Sequence, residues 1–130
     1  MELIEIVTAY IAADEMSGQT LPYGLALALV AVKRLTRDET TFFLQKEQEL
    51  VKRYAALDEN GNVKMTANGT FQFRDPALAH EYERARLELG NADTPLEPVP
   101  LRVKAPPEIK AAFIEALEGF IEFYEDGDTP

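Results

Sequence analysis

Catalysis by nucleophile, base and orienting acid needs three groups within reach, and this chain holds one serine, Ser17, and one histidine, His80. Ser17 precedes Gly18 where a helix is expected to end, without the strand, sharp turn and helix that expose a nucleophilic serine. Both residues read as structural, Ser17 in a turn and His80 on a helix surface beside Glu81 and Glu83. Cysteine is absent, which removes thiol nucleophiles, disulfides, zinc ribbons and iron–sulfur ligands together. The series Asp58, Asn60, Asn62 starts like a calcium loop, but Val63 stands where that loop needs glycine and Gly69 where it needs glutamate. Neither common glycine-rich phosphate loop occurs. Acids are plentiful, yet nearly all fall on expected polar faces, where their role is solvation rather than proton transfer. The expectation is a chain that is not an enzyme and carries no cofactor and no metal.

What remains is charge and aromatic surface. Lys33, Arg34, Arg37, Lys46, Lys52 and Arg53 gather six of the thirteen bases within 21 residues. Arginine forks grip phosphate and carboxylate in pairs of bonds, so Lys33, Arg34, Arg37, Lys52 and Arg53 are candidate ligands for a nucleotide or an acidic partner. The alternative is a solvated helix face paired with Asp38, Glu39, Glu47 and Glu49. Overall the acids outnumber the bases 23 to 13, and a net charge of −10 repels nucleic acid, so direct nucleic-acid binding is not expected. The most apolar run, Leu25 to Val32, falls short of the roughly 20 residues that cross a bilayer, and no charged-then-apolar leader opens the chain. No membrane contact and a cytoplasmic location follow as expectations.

The elements that must carry these groups come next. At 130 residues and 46% hydrophobic content the chain is one domain, residues 1 to 126, with a polar tail over 127–130 expected to fray. Apolar spacing predicts a helix over Glu2 to Asp14 and a second, apolar nearly all round, from Pro22 to Leu35. Thr36 followed by Glu39 fits a capping box and predicts a third helix to about Leu57, with one bent helix from Pro22 to Leu57 as the alternative. Residues 63–73 carry the best hairpin signal, around Asn68-Gly69. Asp75-Pro76 opens a helix that Gly90 stops. Prolines 95, 98, 100, 106 and 107 enforce extended chain with an edge strand within Val99 to Val103. No internal repeat is read.

A last helix is predicted from Pro107 to Tyr124. Projected at 100° per residue, its apolar side chains span about 180°, more than the roughly 100° a surface helix needs. Phe113, Ile114, Leu117, Phe120, Ile121 and Tyr124 are therefore the expected interface of a homo-oligomer. Glu108, Glu115, Glu118, Glu122, Glu125 and Asp126 form an opposing acidic stripe, which could imitate a nucleic-acid backbone, guide a partner or simply be solvated. Phe42 and Phe43 cannot both face one core stripe, so one of them is a candidate anchor in a partner interface. The fold class expected is mostly helical α+β, four to five helices around one small hairpin.

One further pattern spans residues 20 to 104. A helical pair, a helix ending in Glu49-Leu50-Val51-Lys52-Arg53-Tyr54-Ala55-Ala56-Leu57-Asp58-Glu59-Asn60-Gly61, a hairpin, Phe73-Arg74-Asp75, then Ala79-His80-Glu81-Tyr82-Glu83 resembles a family of small uncharacterised tailed-phage and prophage proteins, a domain of unknown function. The resemblance implies a phage accessory protein in the host cytoplasm, acting by binding and inhibiting or redirecting a host defence or replication protein. Two alternatives stay open. One is a nucleotide-sequestering protein using the basic patch, and the other is a phage assembly chaperone or structural component.

Overall fold

The computed structural model describes residues 1 to 125. The expected tail over 127–130 and Asp126 lie outside the described residues. Four α-helices and two strands follow one another as α1 (Leu3–Met16), α2 (Tyr23–Tyr54), α3 (Ala79–Gly90, entered through a 3-10 turn at Pro76–Leu78), β1 (Leu101–Lys104), α4 (Ala111–Ala116) and β2 (Ile121–Tyr124). The architecture is mostly helical α+β, as expected.

α2 is one unbroken helix of 32 residues, about 48 Å long. The bent single-helix alternative is thus the closer reading, and the capping-box break at Thr36 is not formed. Thr36 is fully buried, and its hydroxyl donates to the Val32 carbonyl one turn back at 2.7 Å, so it serves the helix interior instead of starting a new one. α1 lies antiparallel along the middle of α2. The Lys33 ammonium meets Asp14 at 2.7 Å near one end, and Leu3 and Val7 pack with buried Phe43 near the other.

β1 and β2 pair in parallel, Leu101 with Ile121 through Lys104 with Tyr124. The main core joins Ile6, Ala9, Ala13 and Met16 of α1 to Leu25, Leu29 and Val32 of α2, and to Val103, Phe113, Leu117, Phe120 and Ile121 from the C-terminal unit. That unit corrects the predicted last helix. α4 holds six residues, Gly119 turns the chain at φ +89°, and Phe120 begins the run into β2. The Phe120 and Ile121 amides both donate to the Leu117 carbonyl, closing the helix end. Glycine here reaches a conformation that costs an L-residue roughly 1–2 kcal/mol, and the β-branched and aromatic residues beyond it favour strand.

Gly90 ends α3 as expected but by another route. Its φ is not positive; it is buried, and a Cβ there would lie 3.3 Å from Ile4 Cβ, so the missing side chain lets α1 and α3 approach. The junction is tied by backbone: Leu3 N–H donates to Ala92 O, and Thr94 N–H to Met1 O, both at 2.9 Å.

Between α2 and α3 the expected hairpin is part of a larger three-segment unit. Antiparallel bridges join Ala55 to Phe73, Leu57 to Val63 and Met65 to Phe71. At its centre the backbone closes a triangle: Ala56 N–H donates to Gln72 O, Gln72 N–H to Lys64 O, and Lys64 N–H to Ala56 O, at 2.7, 2.9 and 2.9 Å. The corners are eight residues apart, and so are the two turns. Gly61 (φ +79°) donates to Asp58 O, and Gly69 (φ +80°) donates to Thr66 O. Asn60-Gly61 and Asn68-Gly69 are thus one turn used twice, a short repeat that the sequence reading did not find.

Two stability outcomes follow. Thr40 is buried and its hydroxyl has no hydrogen-bond partner among the described residues; Thr40→Val keeps the β-branched shape and should raise the unfolding free energy measured by urea titration by about 1 kcal/mol. Gly119→Ala should lower it by about 1–2 kcal/mol, because alanine cannot relax φ +89°.

Candidate binding cleft

Period-two alternation on the last segment of the turn unit puts Phe71 and Phe73 on one side and Gln72 on the other, where its backbone enters the triangle. Tyr82 projects from the first turns of α3 and Tyr54 from the last turn of α2. The four rings meet edge-to-face, with centroids 4.8 Å apart for Phe71–Phe73, 5.0 Å for Phe71–Tyr82, 5.6 Å for Phe73–Tyr82 and 5.9 Å for Tyr54–Tyr82. Such contacts add about 0.5–1.5 kcal/mol each beyond area burial, so they fix the turn unit against both helices.

Three of these rings, Phe71, Phe73 and Tyr82, form one wall of an open cavity of about 720 Å³. Ile4, Phe43 and Leu87 complete its apolar lining, Gly90 forms part of the floor, and Thr70, Glu83, Arg86 and Asn91 supply polar groups. Three separated parts of the sequence therefore build it together with α3: the start of α1, the middle of α2 and the turn unit. Arg86 donates from Nε to Glu47 Oε2 at 2.9 Å, a bond that ties α3 to α2. Burial holds the Tyr82 phenol above its ordinary value of 10.0; the nearby Arg86 charge opposes this and Glu47 adds to it. A cavity of this size with a mostly apolar wall and few polar groups suits a small organic molecule or a short peptide segment.

The sequence-predicted residues fall elsewhere. Lys33 is engaged by Asp14, while Arg34 and Arg37 are exposed at mid-α2. Lys52 and Arg53 lie about 22–28 Å further along the helix, so one phosphate cannot touch both groups within a single chain. Lys46 pairs with Glu49 and sits over the Phe42 ring at 5.7 Å. Phe43 is buried and lines the cleft, and Phe42 is about half exposed on another side of α2; the two do diverge as helical geometry requires.

The acidic stripe is not a stripe. Glu115 lies in the last turn of α4, Glu118 in the turn that follows it, Glu122 on β2 and Glu125 just beyond it. All four are exposed, but no single helix face carries them. The residues expected at an oligomer interface are likewise redistributed. Phe113, Leu117, Phe120 and Ile121 are buried in this chain's own core, Tyr124 is half-buried with Arg102 against its ring, and Ile114 alone of the six is exposed. The wide apolar arc arose from projecting strand residues onto a helix that ends before them.

Phe71, Phe73, Tyr82, Arg86 and Leu87 were not singled out in the sequence. Their signal was present as Phe-Gln-Phe alternation beside a helix carrying Tyr82 and Arg86 one turn apart, but which faces meet is set by tertiary packing. His80 is exposed, and the Ser17 hydroxyl donates to Ala13 O at 2.6 Å. Among the described residues no group of three or more His, Asp or Glu gathers to hold a metal, and no helix is long and apolar enough to cross a membrane. No family model, curated protein or solved structure matches the chain.

Alkaline titration reads the cleft directly. Tyr82 is kept neutral to higher pH in the folded chain than in the unfolded one, so its contribution to stability is intact below the unfolded value of about 10 and is lost as pH rises through the folded value. Melting above about pH 10 should therefore fall more steeply in the native protein than in Tyr82→Phe. Equal slopes would remove the burial argument.

Proposed function

We propose that this protein acts by binding, and that the cleft between α3, the turn unit and the α1–α2 contact holds an apolar segment of a partner protein. The observation that carries this reading is the cleft wall itself: Phe71, Phe73, Tyr82 and Leu87 open a largely aromatic surface to solvent beside the Arg86–Glu47 pair. Leu87 is 65% exposed and Ile4 39%, a costly use of apolar side chains at a rim unless something covers them. Aromatic and arginine side chains around a concave site are the residue types that dominate protein contacts energetically. The apolar wall supplies affinity, and Glu83, Arg86 and Asn91 supply orientation through polar contacts at its edge. The sequence resemblance supplies the setting, a phage accessory protein that inhibits or redirects a protein of its host.

Occupancy is the mechanism in this reading. A segment docked in the cleft is withheld from its own partners, and no bond is made or broken.

A photoreactive residue placed at Asn91 should cross-link one partner species in the host cell, and the same probe at Glu122, on β2 outside the cleft, should not. Leu87→Glu, at an exposed position that leaves the core intact, should abolish the cross-link from position 91. The same species from both probes, or a cross-link indifferent to Leu87→Glu, would overturn the assignment.

A further inference from the structure

Along the cleft α3 presents Tyr82, Glu83, Arg86, Leu87 and Gly90, so one face of the helix sets an acid and a base between apolar groups. The two charges are not equivalent. Arg86 is engaged by Glu47, which its Nε meets at 2.9 Å, and Glu47 is the more buried partner, its side chain 26% exposed against 56% for Arg86. Drawing Arg86 away would strand a largely buried carboxylate, and a second carboxylate brought to the remaining guanidinium nitrogens would approach Glu47 at the same time. Glu83, by contrast, is exposed and, among the described residues, its side chain has no ion pair and no hydrogen bond. With Glu47 counted beside its partner, the cleft holds two acids against one base, in a chain whose net charge is −10.

We infer that the segment held by the cleft is cationic as well as apolar, carrying a lysine or arginine whose head group pairs with Glu83. This rests on the proposed binding role of the cleft and names the chemistry of its partner. Lysine and arginine suit both halves of the site, because their methylene stems pack along apolar surface while the charged head stays at its margin. The wall of Phe71, Phe73 and Tyr82 takes the stem, and Glu83, next along α3 from Tyr82, takes the head. The three ring centroids lie between 4.8 and 5.6 Å from one another, too close to admit a cation between them, so the head group is held at the rim and not enclosed by aromatic faces.

The other two charge types fit worse. An acidic segment is opposed by unpaired Glu83, by Glu47 behind Arg86 and by the charge of the whole chain. A neutral apolar segment would fill the wall but dehydrate the Glu83 carboxylate without giving it a partner.

Panning a library of random dodecapeptides on the whole protein tests this. Peptides retained by the native chain but not by Leu87→Glu are the cleft ligands; that change adds a negative charge, so a peptide held by charge alone is not lost with it. Relative to the unselected library, lysine and arginine should be enriched over aspartate and glutamate in these ligands by about threefold or more, beside leucine or an aromatic residue. For a selected peptide, Glu83→Gln should weaken binding about fivefold and Glu83→Lys about fiftyfold. Glu83→Lys should in turn prefer the same peptide with its basic residue changed to glutamate. Circular dichroism establishes that each variant, altered at an exposed position, is folded. Cleft ligands without the excess of basic residues, affinities indifferent to Glu83→Lys, or a Glu83→Lys variant that still prefers the basic peptide would each overturn the inference and leave the cleft standing as a binding site. A library that yields no Leu87-dependent peptide overturns the binding role and this inference together.

Discussion

A helix of 32 residues is longer than any other element of this chain, and its length dictates how everything else is arranged. α1, with 14 residues, covers only the middle of it. The N-terminal turns of α2 then need a second cover, which the C-terminal unit supplies through Val103, Phe113, Leu117, Phe120 and Ile121. The C-terminal turns need a third, and α3 and the turn unit provide it through Tyr82, whose ring meets Tyr54 on one side and Phe71 and Phe73 of the turn unit on another. No single core spans the length. The buried residues divide instead into a large cluster around the α1–α2 contact and a small one at Leu3, Val7 and Phe43.

The cleft lies where these covers leave α2 incompletely sheathed. α1 ends its contact near Phe43, the turn unit begins at Ala55, and α3 crosses the interval from Tyr82 to Gly90. The gap is held open by rigid parts. The backbone triangle at Ala56, Lys64 and Gln72 fixes the turn unit without a long sheet, and the missing side chain at Gly90 sets the distance from α1 to α3. An aromatic wall on such supports is preorganised, which lowers the ordering cost of binding.

Much of this was legible in the chain, and the exceptions have physical causes. Asp75-Pro76 announced α3, and the Asp75 carboxylate does accept from the Ala77 amide at 3.0 Å. The strand within Val99 to Val103 was placed to within two residues at its start and one at its end. Thr36 misled because its hydroxyl has two uses, capping a new helix or bonding back to a carbonyl four residues earlier, and burial against α1 favours the second. The C-terminal segment misled because Phe113, Leu117, Phe120, Ile121 and Tyr124 satisfy helical spacing whether or not the helix continues. Gly119 and the strand-favouring run after it were the discriminating signals. The cleft was not legible at all: its walls come from residues 4, 43, 71–73 and 82–91, and only packing brings them together.

Everything described rests on α2 being a single continuous helix. With cysteine absent, spin labels can be introduced at positions 24 and 52 alone, both exposed, and their separation measured by double electron–electron resonance in spin-diluted samples. A continuous helix predicts one narrow distance near 42 Å, the rise of about 1.5 Å over each intervening residue. A markedly shorter or bimodal distance would mean that the helix breaks near Thr36, and the covers and the cleft would lose the frame that positions them.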